Sequence, residues 1–267
     1  MSFMNIIKTS LTKPTKSLDN KNMNFWQWLG LALILNILLC LPLITKSLTL
    51  KDMALEDLTK ASQNIPNFKI TNNQLQTNKN ENGVIYNGQL MTVTFDPQNK
   101  QSVSEIRKQL NHNLFGINLT PTKIYFGVNN SIAKMIPETN PLTLTYEDLN
   151  ANNQSKNQLF KTFKTFINSK EIKSIFLISI FLTSFGTLIT NLLIIAIAAW
   201  FYAKLSKIPM PLGATFKLCT SLSLLPIILQ CCLAFFFSTS LLQTLTLILT
   251  LTLFFINVNP IIRQLNK

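Results

Sequence analysis

Residues 25 to 45, FWQWLGLALILNILLCLPLIT, contain no charged side chain, and no other feature constrains the chain more. The hydrocarbon core of a bilayer is about 30 Å thick and takes about 20 helical residues to cross. The run therefore predicts a transmembrane helix. A secretory signal is the rival reading, because KTSLTKPTKSLDNK supplies a basic start. Such a signal has an apolar region of only about 7 to 15 residues, followed by an A-x-A-like site. This run is longer and has no such site after it, which favours a retained anchor with Trp26 and Trp28 at headgroup level.

Three further apolar runs follow, at 174 to 203, 218 to 237 and 241 to 258. The first, roughly 45 Å long at 1.5 Å per residue, must tilt or protrude. The last two are joined by 238 to 240 alone and predict a tight helical hairpin. Composition agrees, since 13% of residues are charged where soluble domains carry about 25%. The expected fold is a multi-pass α-helical membrane protein. It has four transmembrane helices, with a small α+β extracytoplasmic domain over 46–173 inserted between helices 1 and 2.

Four spans return both termini to one side. That side holds the N-terminal segment 1–24 with Lys8, Lys13, Lys16 and Lys21, and the loop 204–217 with Lys204, Lys207 and Lys217. It also holds the tail 259–267 with Arg263 and Lys267. The turn on the opposite side, 238 to 240, has no charge. Short cytoplasmic loops are enriched in Lys and Arg, so these residues are expected to set topology with both termini cytoplasmic. Binding of a partner or of anionic headgroups is the alternative role for the three loop lysines. The net charge of +13 is spread over short loops rather than gathered on one folded surface, which argues against nucleic acid.

Ten of the eleven acidic residues lie between 47 and 172, so this stretch is a different kind of polypeptide. TLKDMALEDLTKA places Leu50, Met53, Ala54, Leu58 and Ala61 on one helical stripe, with Thr49 and Asp52 in capping-box positions. VIYNGQLMTVTFDP predicts a β-hairpin around Asn87-Gly88, with Met91, Val93 and Phe95 on one face. Ser102 and Glu105 form a second capping box, opening a helix with Val103, Ile106 and Leu110 inward and His112 opposite. KIYFGVNNSIAKMI predicts another hairpin around Asn129-Asn130, a loop carries Pro137 and Pro141, and LTLTY predicts a further strand. A third helix starts near Ser155, with Gln158 as its box partner. Its phenylalanines face one side among lysines, a pattern that suits a helix lying on the membrane or one packing on the outer domain.

The search for chemistry finds little. His112 is the sole histidine, and neither H-E-x-x-H nor a phosphate-binding G-x-x-x-x-G-K-[ST] is present. Cys40, Cys219, Cys231 and Cys232 all fall in or beside apolar helices, with no zinc spacing among them. No catalytic, cofactor-binding or metal-ligating residue is predicted, and no cofactor. Asp96 closes a strand just before a proline and reads first as a turn residue. The polar intramembrane residues, Asn36, Asn191, Gln230 and Gln243, are expected to bond between helices. Gly186 and Thr190 have the spacing of a close helix approach, and Pro226 predicts a kink.

The order of features, with IPNFKITNNQLQ and LMTVTFDP in the outer segment and KLSKIPMPLGATFKL before LSLLP in the hydrophobic half, resembles the bacterial domain-of-unknown-function family 1189. Some members of that family are labelled maltodextrin utilisation proteins. The hydrophobic half is distantly similar to Yip-type membrane domains. The resemblance implies a location in the bacterial cell membrane and no catalytic residues. The expected role is that of a non-enzymatic accessory or sensor protein. Its outer domain would bind a partner such as a carbohydrate transporter, with Asp96, Phe160, Phe163 and Phe166 as candidate interface residues. A transporter or transporter subunit using Asn36, Asn191 and Gln230 is the alternative.

Overall fold

The computed structural model describes residues 2–77, 83–110, 113–128, 142–237 and 239–265. His112, Ser238, Lys267, the Asn129-Asn130 turn and the Pro137 and Pro141 loop lie outside the described residues. The chain divides into two compact units, a helical unit of Met1–Lys46 with Ile175–Lys267 and an α+β unit of Ser47–Ser174.

The helical unit opens with α1 (Phe3–Thr12), started by Ser2, whose hydroxyl accepts from the Asn5 amide, and followed by two short 3-10 turns at Pro14–Lys16 and Leu18–Asn22. Helix α2 (Phe25–Asn64) contains the first apolar run. It does not restart at Thr49: it runs unbroken through 41–52, so the helix expected from TLKDMALEDLTKA is a continuation. The capping box is not needed there, because preceding carbonyls already accept the first-turn amides.

Helix α5 (Lys170–Leu205) contains the second run, and α8 (Thr239–Leu265) the last. Between them the expected single helix over 218–237 is two, α6 (Leu212–Leu222) and α7 (Leu224–Leu233), bent by 41°. The break falls at Ser223 rather than at Pro226. Pro226 has no N–H, so the Leu222 carbonyl loses its partner four residues on, and the helix opens ahead of the proline. Among the described residues three helices are long and apolar enough to cross a membrane, or four if the bent pair counts as one.

The α+β unit contains a two-stranded hairpin, β1 (Phe68–Thr71) and β2 (Gln74–Thr77), which turns at Asn72 and Asn73, both with positive φ. A five-stranded sheet follows, formed by β3 (Gly83–Asn87), β4 (Met91–Phe95), β5 (Phe115–Leu119), β6 (Lys123–Val128) and β7 (Leu142–Thr145) in that order. The β3–β4 hairpin forms, but its turn falls at Gln89-Leu90 rather than at the expected Asn87-Gly88: Asn87 pairs with Thr92, and the Gly88 amide donates to the Met91 carbonyl. Strands β4 and β5 are parallel, joined by the crossover helix α3 (Val103–Leu110). Helix α3 carries the expected box: Glu105 accepts from the Ser102 amide at 2.8 Å.

One face of the sheet and the end of α2 close a core of Leu58, Ala61, Phe95, Ile117 and Leu119 with Leu159 from α4 (Lys156–Asn168). Full burial of each leucine, isoleucine or phenylalanine side chain there contributes about 1.5–3 kcal/mol. The core explains why the amphipathic stripe of α4 points inward: Phe160 and Phe163 belong to it.

Candidate functional site

Several polar groups that the helical unit buries form a clasp on its N-terminal segment. Asn20 is fully buried, and its Nδ2 donates to Ser10 Oγ at 3.2 Å and to Ser221 Oγ on α6 at 3.1 Å. Asn257 on α8 accepts the Ser17 amide at 2.8 Å and donates to the carbonyls of Pro14 at 2.7 Å and of Leu253 at 2.8 Å. The two 3-10 turns are thus tied to α6 and α8, while Ile6 and Met23 sink into a cluster with Leu31, Leu188 and Leu224. Trp28 joins the same region: its Nε1 donates to Thr220 Oγ1 at 3.1 Å and its ring lies 5.5 Å from that of Phe216. Trp26 is exposed as an interfacial aromatic should be, but Trp28 is held by protein.

The α+β unit buries charge instead. Asp57 lies beyond the apolar run of α2, three turns past Thr45. It accepts the Tyr86 hydroxyl at 2.6 Å, the amides of Leu90 at 2.8 Å and Met91 at 3.0 Å, and the Gln89 amide at 3.4 Å. Burial alone would raise its pKa, but the four donors together lower it below the ordinary aspartate value. Burial and the neighbouring carboxylate push Tyr86 up to about 12. A Cβ at Gly88 would collide with the Asp57 carboxylate, which is why the turn needs glycine there. Lys156 Nζ, almost fully buried, donates to the Ile65 carbonyl at 2.8 Å, just past the end of α2. Its pKa is lowered by burial, and a cation is favourably placed at that helix end.

The expected site residues separate on this framework. Asp96 is a buried turn residue, accepting the amides of Lys100 at 3.0 Å and Gln101 at 2.9 Å. Phe160 and Phe163 are core, with rings 5.9 Å apart and Phe163 edge-on to Phe126. Burial therefore takes Asp96, Phe160 and Phe163 off the surface, and the expectation that they meet a partner is corrected. Phe166 is 63% exposed, in an open groove with Gln158, Lys161 and Thr165.

Asn36 is fully buried and donates to the Phe181 carbonyl at 3.2 Å, while its Oδ1 is without a partner. Gln230 accepts from Thr246 at 2.8 Å. Asn191 and Gln243 are half-buried and take part in neither bond. Gly186 faces open space, so within this chain the Gly186 and Thr190 pair brings no helix close. Of the basic residues, Lys8, Lys13, Lys16, Lys204, Lys207 and Arg263 are exposed and Lys21 and Lys217 half-buried; Lys217 sits inside α6 rather than in a loop.

Several features escaped the sequence reading: the clasp, the Asp57 latch, and a polar face of the sheet under α3. On that face Thr92, Thr94 and Asn118 are fully buried. Thr94 Oγ1 and Asn118 Oδ1 have no partner. The signal available for the latch was an acid on the apolar stripe of a helix, at Asp57 beside Leu58. Among the described residues no three His, Cys, Asp or Glu side chains converge as metal ligands.

The fold and its polar constellations define a class: a bundle of membrane-length apolar helices carrying an α+β insert whose buried charges are consumed by its own backbone. More particularly, the chain belongs to the DUF1189 family, described as a protein of unknown function, whose model matches residues 5–258. Neither a curated protein nor a solved structure matches it.

Proposed function

We propose that the protein is a four-span integral membrane protein with both termini cytoplasmic. In this reading it acts as a non-enzymatic accessory or sensor protein whose extracytoplasmic α+β unit recognises a partner. The observation that carries the reading is the self-contained unit Ser47–Ser174, inserted between two helices of membrane-crossing length and closed around its own core. Its buried carboxylates, Asp57 and Asp96, spend their lone pairs on backbone amides, which favours a structural role for them over acid–base chemistry. Phe166, exposed beside Lys161, is the residue through which the unit would meet a partner. The label carried by some family members makes a carbohydrate transporter the first partner to test.

The test is crosslinking and purification of the intact protein from native membranes, beside a form lacking 48–171, with mass spectrometry of what accompanies each. A partner retained only by the intact form supports recognition by the α+β unit; equal retention overturns it. A second reading, a transporter or transporter subunit, draws on the bent α6–α7 pair, because discontinuous helices form substrate sites in known transporters. Substrate flux by the purified protein alone in liposomes would favour that reading.

A further inference from the structure

Five exposed basic residues of the helical unit, Lys13, Lys16, Lys204, Lys207 and Arg263, come from stretches far apart in sequence that the fold brings together. Lys13 precedes and Lys16 ends the first 3-10 turn, Lys204 lies in the last turn of α5 with Lys207 just after it, and Arg263 lies in the last turn of α8. All three stretches pack into one apolar cluster, through Leu18 from the first, Ile208 and Met210 from the second, and Val258, Ile261 and Ile262 from the third. Asn257 then clamps the first stretch to the third through Pro14 and Ser17.

None of these cations has an acidic partner among the described residues, where the sole ion pair is Lys60 with Glu56 in the α+β unit. The helical unit contains a single acid, Asp19. Exposed apolar side chains are interleaved with the charges: Leu205, between Lys204 and Lys207, is 83% exposed. An acidic protein would answer the charges but not the leucine. A membrane interface answers both, with phosphates for the cations and acyl chains for the apolar side chains.

We propose that this basic collar is a preorganised site for anionic phospholipid headgroups, held in shape by the Asn20 and Asn257 clasp rather than acting as a set of independent charges. The proposal rests on the membrane reading above. Each basic residue near an anionic surface contributes about a fivefold preference.

The experiment uses the full-length protein in detergent with an equimolar mixture of phosphatidylglycerol and phosphatidylcholine of matched chains, read by native mass spectrometry. Phosphatidylglycerol should be retained at least about tenfold over phosphatidylcholine. Lys16→Gln should lower that preference about fivefold, whereas Lys46→Gln, an equal loss of charge outside the collar, should leave it unchanged. Asn257→Leu keeps every charge and should still weaken the preference, with faster hydrogen exchange over residues 13–22. Equal retention of the two lipids, or equal effects of Lys16→Gln and Lys46→Gln, overturns the site. These two surface variants decide the matter even if Asn257→Leu fails to fold. Failure of the purified protein to float with liposomes would instead overturn the membrane reading itself.

Discussion

Among the described residues of the helical unit every buried polar side chain is neutral, from Ser10, Asn20 and Asn36 to Ser221, Thr250 and Asn257, whereas the α+β unit buries Asp57, Asp96 and Lys156. The difference follows from how apolar each unit is. A charge in an apolar setting without a counter-charge costs several kcal/mol, so the helices are tied together with amides and hydroxyls. In the α+β unit turns and helix ends expose free amides and carbonyls, and an ion that satisfies several at once holds a junction that neutral groups would hold weakly. One carboxylate fixes the β3–β4 turn to α2, another fixes the turn before α3, and one ammonium closes the end of α2.

The comparison is broken most directly at Asp57. Asp57→Ala leaves the Tyr86 hydroxyl and three amides without their acceptor, and at roughly 1–3 kcal/mol for each buried orphan the α+β unit should lose on the order of 4 kcal/mol. Chemical denaturation of the full-length protein, followed by tyrosine fluorescence, checks this. The pH dependence has a definite sign. The folded-state pKa of Asp57 is depressed, so its contribution is complete above the ordinary aspartate range and lost as pH falls through the depressed value. Asp57→Asn should flatten that acid limb. The helical unit, with no buried carboxylate, should show no matching loss.

Asn257 is the matching test in the neutral unit. Asn257→Leu removes an acceptor for the Ser17 amide and donors to the Pro14 and Leu253 carbonyls, and should cost about 2–3 kcal/mol. The damage should be local, seen as faster hydrogen exchange in residues 13–22, with the α+β unit unchanged. Gly88→Ala comes next, at about 1–3 kcal/mol, because the new methyl group meets the Asp57 carboxylate. Its effect should largely vanish in an Asp57→Ala background, which a double-mutant cycle measures.

What could be read in the chain beforehand divides along the same line. Apolar runs and the existence of the β3–β4 hairpin were legible because both are local patterns, a period or a length, although the turn lies two residues beyond the Asn87-Gly88 dipeptide. The unbroken passage of α2 through Thr49 was not, because a capping box marks a possible start and is silent when a preceding turn supplies the carbonyls. The clasp is hidden because its hydrogen bonds join residues more than 200 positions apart, which no local pattern signals. Its key residues, Asn20 and Asn257, lie at opposite ends of the chain. Asp57 was hidden for a different reason: its partners are mostly backbone amides, which have no letter in the sequence. Phe160 and Phe163 show the limit of periodicity, since an amphipathic stripe reports that a face will be covered without saying by what.

The smallest expected effect is also the one of opposite sign. Thr94 and Asn118 are paired neighbours in the parallel β4–β5 register, both buried under α3, and Thr94 Oγ1 and Asn118 Oδ1 find no partner. If an orphaned hydroxyl carries a desolvation cost with no bond to offset it, replacing it by a methyl group of the same shape removes the cost and keeps the packing. Thr94→Val should therefore be neutral or stabilising by up to about 1 kcal/mol, against the large losses at Asp57 a short distance away in the same unit. Denaturant midpoints of the two variants, measured side by side, give the comparison. A clear destabilisation by Thr94→Val would mean that the hydroxyl is bonded through buried water, and the polar face under α3 would then belong with the satisfied networks rather than apart from them.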